Sequence, residues 1–319
     1  MEVGWSKEDE EKALRRILPN SYYFPYSTLY SLLSSLFTAM HYAITWWTWF
    51  LWKALIERLL SESNQVTVIG RSEEKIRKVF GDRVWALERK NLSQSKLVRI
   101  EVCINLSWAT LFRFPWSRSY KKTIYDSRIL TTNMLVKALP SSCHTFISWS
   151  EIGYYPSSET KEYTTTYINT TPTSFLENTC IDREQAASLA SSPSRRVVLL
   201  RTWLIQWKQW MKATIKKLTH YLWWIIPWSW KQRLSTISTN QRVDNVITCV
   251  NDRTIQWPVN LVQNQLHMDK YIHTLANTLH RPVWWWVPEY IIKLLLWSMS
   301  EIVLWSQYVV WSFIKDKVK

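Results

Sequence analysis

HYAITWWTWFLWKALIERLLSES, residues 41–63, decides how this chain is read. HYAIT is a short apolar run with the length of a strand, and KALIERLLSES carries apolar residues at helical spacing. Between them Trp46, Trp49 and Trp52 lie three apart, with Trp47 beside the first. With glycine at those four positions the run becomes T-G-G-T-G-F-L-G, a strand–turn–helix of the kind that holds a dinucleotide pyrophosphate. Such a turn needs glycine for physical reasons. The first permits the tight turn, the second lets backbone N–H groups approach the phosphates, and the third lets helix and strand pack closely. The anion then rests at the helix N-terminus. An indole at any of these places fills the phosphate space, so a turn that keeps its tryptophans does not bind a dinucleotide normally.

The composition repeats the anomaly. The chain has 319 residues, enough for a large core, but only 4 Gly against 23 Trp. A chain of this length ordinarily holds roughly 22 glycines. The deficit in one residue nearly matches the excess in the other, which points to substitution rather than aromatic enrichment. Forty Lys and Arg against 25 Asp and Glu give a net charge of +15, a balance that favours anionic partners. The basic residues are spread out and no nucleic-acid motif accompanies them, so nucleic acid is not an expected partner. Cys103, Cys143, Cys180 and Cys249 are far apart, and neither they nor the six histidines have metal-ligand spacing. No metal site is expected, and a reducing, cytoplasmic setting fits.

Strand and helix alternate from Met40 onward: HYAIT, then KALIERLLSES; QVTVIG, then EEKIRKVF; VCINLSW, then SYKKTIYDSRILTTNMLVKAL; HTFISWS, then IDREQAASLA; and finally RRVVLLRT. This order predicts an α/β fold, a doubly wound parallel sheet of Rossmann type covered on both faces. After about residue 200 strands thin out, and the last fifty residues read as mainly helical. The expected organisation is an extension over 1–39, a dinucleotide-binding domain over 40–265 and a small C-terminal region over 266–319. From Ile17 to Trp52 there is no Asp, Glu, Lys or Arg. Residues 22–45 are long enough to span a bilayer and have aromatic residues at both ends. Taken alone, residues 1–39 therefore read as an authentic anchor.

With tryptophan read as glycine, the chain from Met40 resembles the epimerase family, the sugar-nucleotide-epimerase-like group of atypical short-chain dehydrogenases/reductases. ITWWTWFLW matches the family's ITGGTGFIG; INLSW matches N-L-A-G; RTWLIQWKQWM, LWWIIPWSWKQ and WPVNLV match later glycine-bearing motifs in the same order. Trp46, Trp47, Trp49, Trp52, Trp108, Trp203, Trp207, Trp223, Trp224, Trp228, Trp230 and Trp257 all fall on family glycines, whereas Trp116 falls where the family often has tryptophan. This regularity points to a gene that uses UGA for glycine, as some bacterial lineages do, translated with UGA as tryptophan. The resemblance also implies a usual start at Met40, so residues 1–39 stay open either as an anchor or as upstream sequence translated from an earlier start.

The resemblance implies NADP or NAD as cofactor and a redox step on a carbonyl or sugar-like small molecule. The backbone of Trp46, Trp47, Thr48, Trp49, Phe50, Leu51 and Trp52 would cradle the pyrophosphate. The second strand ends in Arg71 and Ser72 instead of the acidic residue that binds ribose hydroxyls, which favours NADP over NAD. Asn105, Leu106 and Trp108 close the strand that runs beside the nucleotide riboses. Ser148, Ser150 and Tyr154 follow at the carboxyl end of the next strand; the hydroxyls suit a substrate carbonyl, and the tyrosine suits a general acid/base. The chain lacks Tyr-x-x-x-Lys, and CIDRE (Cys180, Arg183, Glu184) only approximates the family's C-x-x-W-E helix. A pocket-lining Tyr154 therefore stays open beside a catalytic one. Two other readings stay open as well. If the tryptophans are literal, the chain is a membrane-associated, inactive Rossmann relative; a basic, base-stacking nucleic-acid module is the third, against which the α/β order argues.

Overall fold

The computed structural model describes residues 39–45, 50–111, 113, 115–202, 204–206, 225–227, 232–278 and 285–310. Its elements are, in order, β1 (His41–Thr45), α1 (Phe50–Ser61), β2 (Gln65–Gly70), α2 (Glu73–Phe80), β3 (Trp85–Glu88), β4 (Val102–Asn105), α3 (Arg118–Ala138), β5 (Thr145–Glu151), β6 (Glu162–Tyr163), α4 (Phe175–Ser188), β7 (Arg196–Thr202), β8 (Leu204–Gln206), β9 (Ile225–Pro227), β10 (Arg233–Ser238), α5 (Thr239–Asn251), β11 (Trp257–Asn260), β12 (Asn264–His267), α6 (Met268–Thr278), β13 (Trp285–Val287), α7 (Glu289–Leu296), α8 (Ser300–Leu304) and β14 (Tyr308–Val309).

Seven of the described strands form one sheet in the order β3-β2-β1-β4-β5-β7-β11, with every pair parallel. Alternating side chains feed two cores. Tyr42, Ile44, Val66, Val68, Ile147, Trp149, Val198 and Leu200 point to one face, where they meet Leu55, Ile56 and Leu59 of α1 and Val243 and Val246 of α5. Ala43, Cys103, Phe146, Val197 and Leu199 point to the other, beneath Leu135 and Ala138 of α3 and Ala187 of α4. Burial on both faces explains why these strands read as continuous apolar runs. The Rossmann-type sheet expected from the sequence is therefore present.

Serine starts four of the helices. Ser72, Ser117, Ser174 and Ser238 each accept a backbone N–H three residues on, from Lys75, Tyr120, Glu177 and Gln241, satisfying a donor that the first helical turn leaves open. Gly81 ends α2 with φ +62, a conformation suited to glycine.

Strands do not thin out after residue 200 as the sequence suggests. β8, β10 and β12 form a small sheet, β9 pairs with β13, and β14 pairs in parallel with β6 across 146 residues, Tyr308 opposite Glu162. Three-residue and two-residue strands carry too little alternation to be read from sequence. The apolar run over 22–45 ends as a strand rather than in a membrane helix: His41–Thr45 is β1, hydrogen-bonded on both sides. Residues 22–38 of that run lie outside the described residues, among which no helix is long and apolar enough to cross a membrane.

Candidate cofactor and substrate site

The chain leaves β1 toward β2 on one side and leaves β4 toward β5 on the other. Open parallel sheets bind ligands at such a switch, outside the carboxyl ends of the strands. Here the switch is tied together by Thr45 and Asn105. Thr45 Oγ1 donates to Asn105 Oδ1 (3.2 Å) and accepts the Leu106 N–H (2.6 Å). Asn105 Nδ2 donates to Thr132 Oγ1 (2.7 Å) and to Ser148 Oγ (3.4 Å), while its Oδ1 accepts the Ser107 N–H. Every one of these groups is buried, so the loop after β4 is fixed by paired polar atoms.

A cavity opens at this switch, lined by Thr45, Ile69, Gly70, Arg71, Arg89, Ser107, Trp108 and Ser127. Its described lining holds two arginines and no carboxylate. Arg89, half-buried in the turn after β3, donates to Thr131 Oγ1 on α3 (2.9 Å). Burial, and after it the charge of Arg71, holds its pKa below the ordinary value. Two guanidinium groups brought into one cavity are a recognition surface for a phosphate.

Deeper, at the ends of β5 and β7, the polar groups form a buried lattice. Ser150 Oγ donates to Glu184 Oε1 (2.6 Å), and Glu184 is clamped by Arg201 through two N–H groups (2.8 and 2.6 Å). Arg201 also donates to the Tyr155 hydroxyl (2.9 Å), which donates in turn to Asn260 Oδ1 (2.8 Å). Its guanidinium carbon lies 3.5 Å from the centre of the Tyr154 ring. Beside this chain Arg128 pairs with Glu151 at 2.7 Å and lies 5.7 Å from the centre of the Trp108 ring. Arg183 donates to the Ser107 carbonyl (3.0 Å). Burial, reinforced by the nearby Arg128 charge, lowers its pKa to about 9. Cys180, packed among these charges, is pushed well above the usual thiol range by burial and then by Glu151, so it is an inert thiol.

The sequence-derived residues fall into several groups. Trp46, Trp47, Thr48 and Trp49 lie outside the described residues, whereas Phe50, Leu51 and Trp52 open α1. Arg71 and Trp108 line the cavity, with Asn105 and Leu106 just beneath its edge. Ser72 spends its hydroxyl as the cap of α2. Ser148 and Ser150 share the α3/α4 face of β5, each 1% exposed, and both are hydrogen-bonded within the protein. Tyr154 closes the turn after β5, and its hydroxyl accepts the Asn169 N–H (3.2 Å). Arg201 connects it to Ser150 through Glu184. Sequence reasoning missed Arg89, Arg128, Glu151 and Arg201. A signal existed for two of them: Glu151 and Arg201 are charged residues near the carboxyl ends of otherwise apolar strands.

Sheet order and switch point define a Rossmann-type α/β protein, and the polar lattice makes its carboxyl edge the candidate ligand site. No protein-family model matches the chain. An epimerase family protein of Staphylococcus haemolyticus is 30% identical over 283 residues, covering 84% of this chain and 90% of that protein. A Staphylococcus saprophyticus counterpart is 28% identical over 282 residues, covering 85% and 91%. The human epimerase family protein solved with NADPH superposes with a TM-score of 0.73 at 19% identity, over 86% of this chain and 95% of that one. A UDP-glucuronic acid 4-epimerase from Bacillus cereus, solved with NAD, gives 0.62 at 15% identity, covering 85% and 94%. The chain belongs to the epimerase family.

Proposed function

We propose that this protein is an NADP-dependent epimerase or reductase-like enzyme acting on a carbonyl or sugar-like small molecule, in the cytoplasm. The observation that carries the cofactor choice is the pair Arg71 and Arg89 in one cavity beside β2 whose described lining holds no carboxylate. A 2′-phosphate matches two guanidinium groups there; a free ribose diol would want an acidic acceptor. Bound NADP would supply hydride transfer. The chain's own groups would hold the substrate, with Ser148, Ser150 and Tyr154 as the candidate polar set and Tyr154 as the candidate proton donor, its ring under the Arg201 charge. Residues 40–265 would carry the cofactor and 266–319 would border the substrate. Four free, buried cysteines suit a reducing interior.

The same reading requires glycine at 46, 47, 49 and 52, and we attribute the tryptophans to UGA codons decoded as glycine in the native host. Trp297 supports this. It ends α7 with φ +46 while 75% exposed, a backbone state that suits glycine and disfavours an indole-bearing residue. Trp116 is its opposite: 7% exposed, with Nε1 donating to the Leu111 carbonyl (2.9 Å) and its ring edge-on to Phe175.

Two measurements test the proposal. Mass spectrometry of the host protein should yield a peptide ending at Lys53 with glycine at the four positions; tryptophan there would end the recoding claim. In the host-decoded chain, Arg89→Ala should weaken NADPH by about tenfold and leave NADH unchanged, the loss of one charge-assisted phosphate contact. Equal effects on both cofactors would remove the NADP assignment.

A further inference from the structure

Arg242 is a buried cation without a counter-ion among the described residues. It sits in the first turn of α5, is 1% exposed, and donates through Nη2 to Thr202 Oγ1 (3.2 Å) with its guanidinium carbon 4.9 Å from the Trp149 ring centre. Nε and Nη1 have no hydrogen-bond partner among the described residues. One turn on, the buried Asn245 Nδ2 also lacks an acceptor. Among the described residues no acidic group acts on Arg242: burial depresses its pKa, to about 9, so it stays charged at neutral pH. Asp244, beside it in sequence, faces Arg58 of α1 instead (3.7 Å). Among the described residues Arg128–Glu151 and Arg201–Glu184 are matched buried pairs, and Arg183, whose Nε and Nη1 are likewise unpartnered, still lies in the field of Glu151 and Glu184. An unmatched buried charge is strongly destabilising, and guanidinium cannot escape by losing its proton at neutral pH.

Its position explains what it could serve. Ile44, Ile104, Ile147 and Val198 are in register across β1, β4, β5 and β7. Trp149 and Thr202 stand two and four residues beyond that row, toward the carboxyl edge. α5 packs into the same core as α1, the helix that opens at the dinucleotide turn. The unmatched donors therefore lie near the carboxyl edge of the sheet, on the α1 face, and the described residues offer them no acceptor.

We propose that Arg242, supported by Thr202 and with Asn245 beside it, anchors an anionic phosphoryl group of a ligand bound over β5 and β7. This rests on the dinucleotide reading for one of its two sources: the group belongs either to the cofactor's diphosphate or to a phosphorylated second ligand.

Arg242→Met in the full, host-decoded chain tests it, read by thermal unfolding and by equilibrium binding. The probes are NADPH, inorganic pyrophosphate added to NADPH-saturated protein, and pyrophosphate alone. The ligand-free variant should unfold at a higher temperature than the parent, because an unmatched charge has been removed. If the cofactor supplies the group, NADPH affinity should fall about tenfold or more. If a second ligand supplies it, NADPH affinity holds and stabilisation by pyrophosphate disappears; Arg242→Lys should retain part of either effect. Should the parent not bind NADPH, the cofactor assignment fails, and loss or retention of stabilisation by pyrophosphate alone decides for or against Arg242. A variant that unfolds earlier or does not fold makes Arg242 structural and overturns the inference. So does one that binds both probes like the parent.

Discussion

Arg201 holds together more of the site than any residue named from the sequence. It clamps Glu184, which holds Ser150; it donates to Tyr155 and covers Tyr154. Arg201→Met leaves the Glu184 carboxylate buried without its partner, and the unfolding free energy should fall by about 3–5 kcal/mol in urea titration. Arg201→Met combined with Glu184→Leu should recover much of that loss. Recovery of none would mean that Arg201 acts chiefly through the two tyrosines. None of this was legible in sequence, because the partners lie 17, 46 and 47 residues away in different elements. Arg71 could be found by counting from the turn to the end of the second strand. Arg89 could not, since only the fold brings the turn after β3 beside it.

At the scale of elements, β1, β2 and α2 were legible to the residue, since each is a periodic run bounded by polar or turn residues. β3, with four residues, was missed, and α4 begins six residues before the stretch read from sequence because its Ser174 cap precedes a mixed run without clear periodicity. The ends of two elements make a contrasting pair of predictions. Trp297→Gly at the end of α7 should raise stability by about 1 kcal/mol, relieving a left-handed residue with little packing to lose. Trp116→Gly should cost about 3–5 kcal/mol, as expected for deleting a buried indole. Equal losses at both sites would count against a glycine origin for Trp297. The starts of β1 and β5 give a pH prediction. His41, bonded to Thr67 (2.9 Å), and His144, bonded to Thr145 (2.8 Å), both have pKa values held below 6.5, burial being the larger cause. The unfolded chain therefore binds protons at pH values where the folded chain does not, and the stability these sites contribute is full above 6.5 and falls as pH drops below it. Urea midpoints between pH 7.5 and 5 should decline less steeply in His41→Gln/His144→Gln than in the parent.

For the molecule as a whole, the cofactor reading makes a single thermodynamic demand. The host-decoded chain, given NADPH at a hundredfold excess over its dissociation constant, should gain about 2.7 kcal/mol of stability, whereas the chain with tryptophan at 46, 47, 49 and 52 should gain none. Calorimetry on the two preparations checks it, and an equal shift in both would place binding away from the turn. The long-range pairing of β14 with β6 has a different consequence, one of timing. Gln307 donates to the carbonyls of Ile152 and Tyr155, and Asn260 donates to the Val310 carbonyl (3.1 Å). Strands β1 to β5 can pair as they leave the ribosome, but the turn after β5 keeps open backbone acceptors until residues 307–310 have been made. A nascent chain thus completes β1 to β5 well before the turn that carries Tyr154 and Tyr155 is closed, and a messenger cut short near its end would yield a protein whose central sheet is folded while that turn stays open.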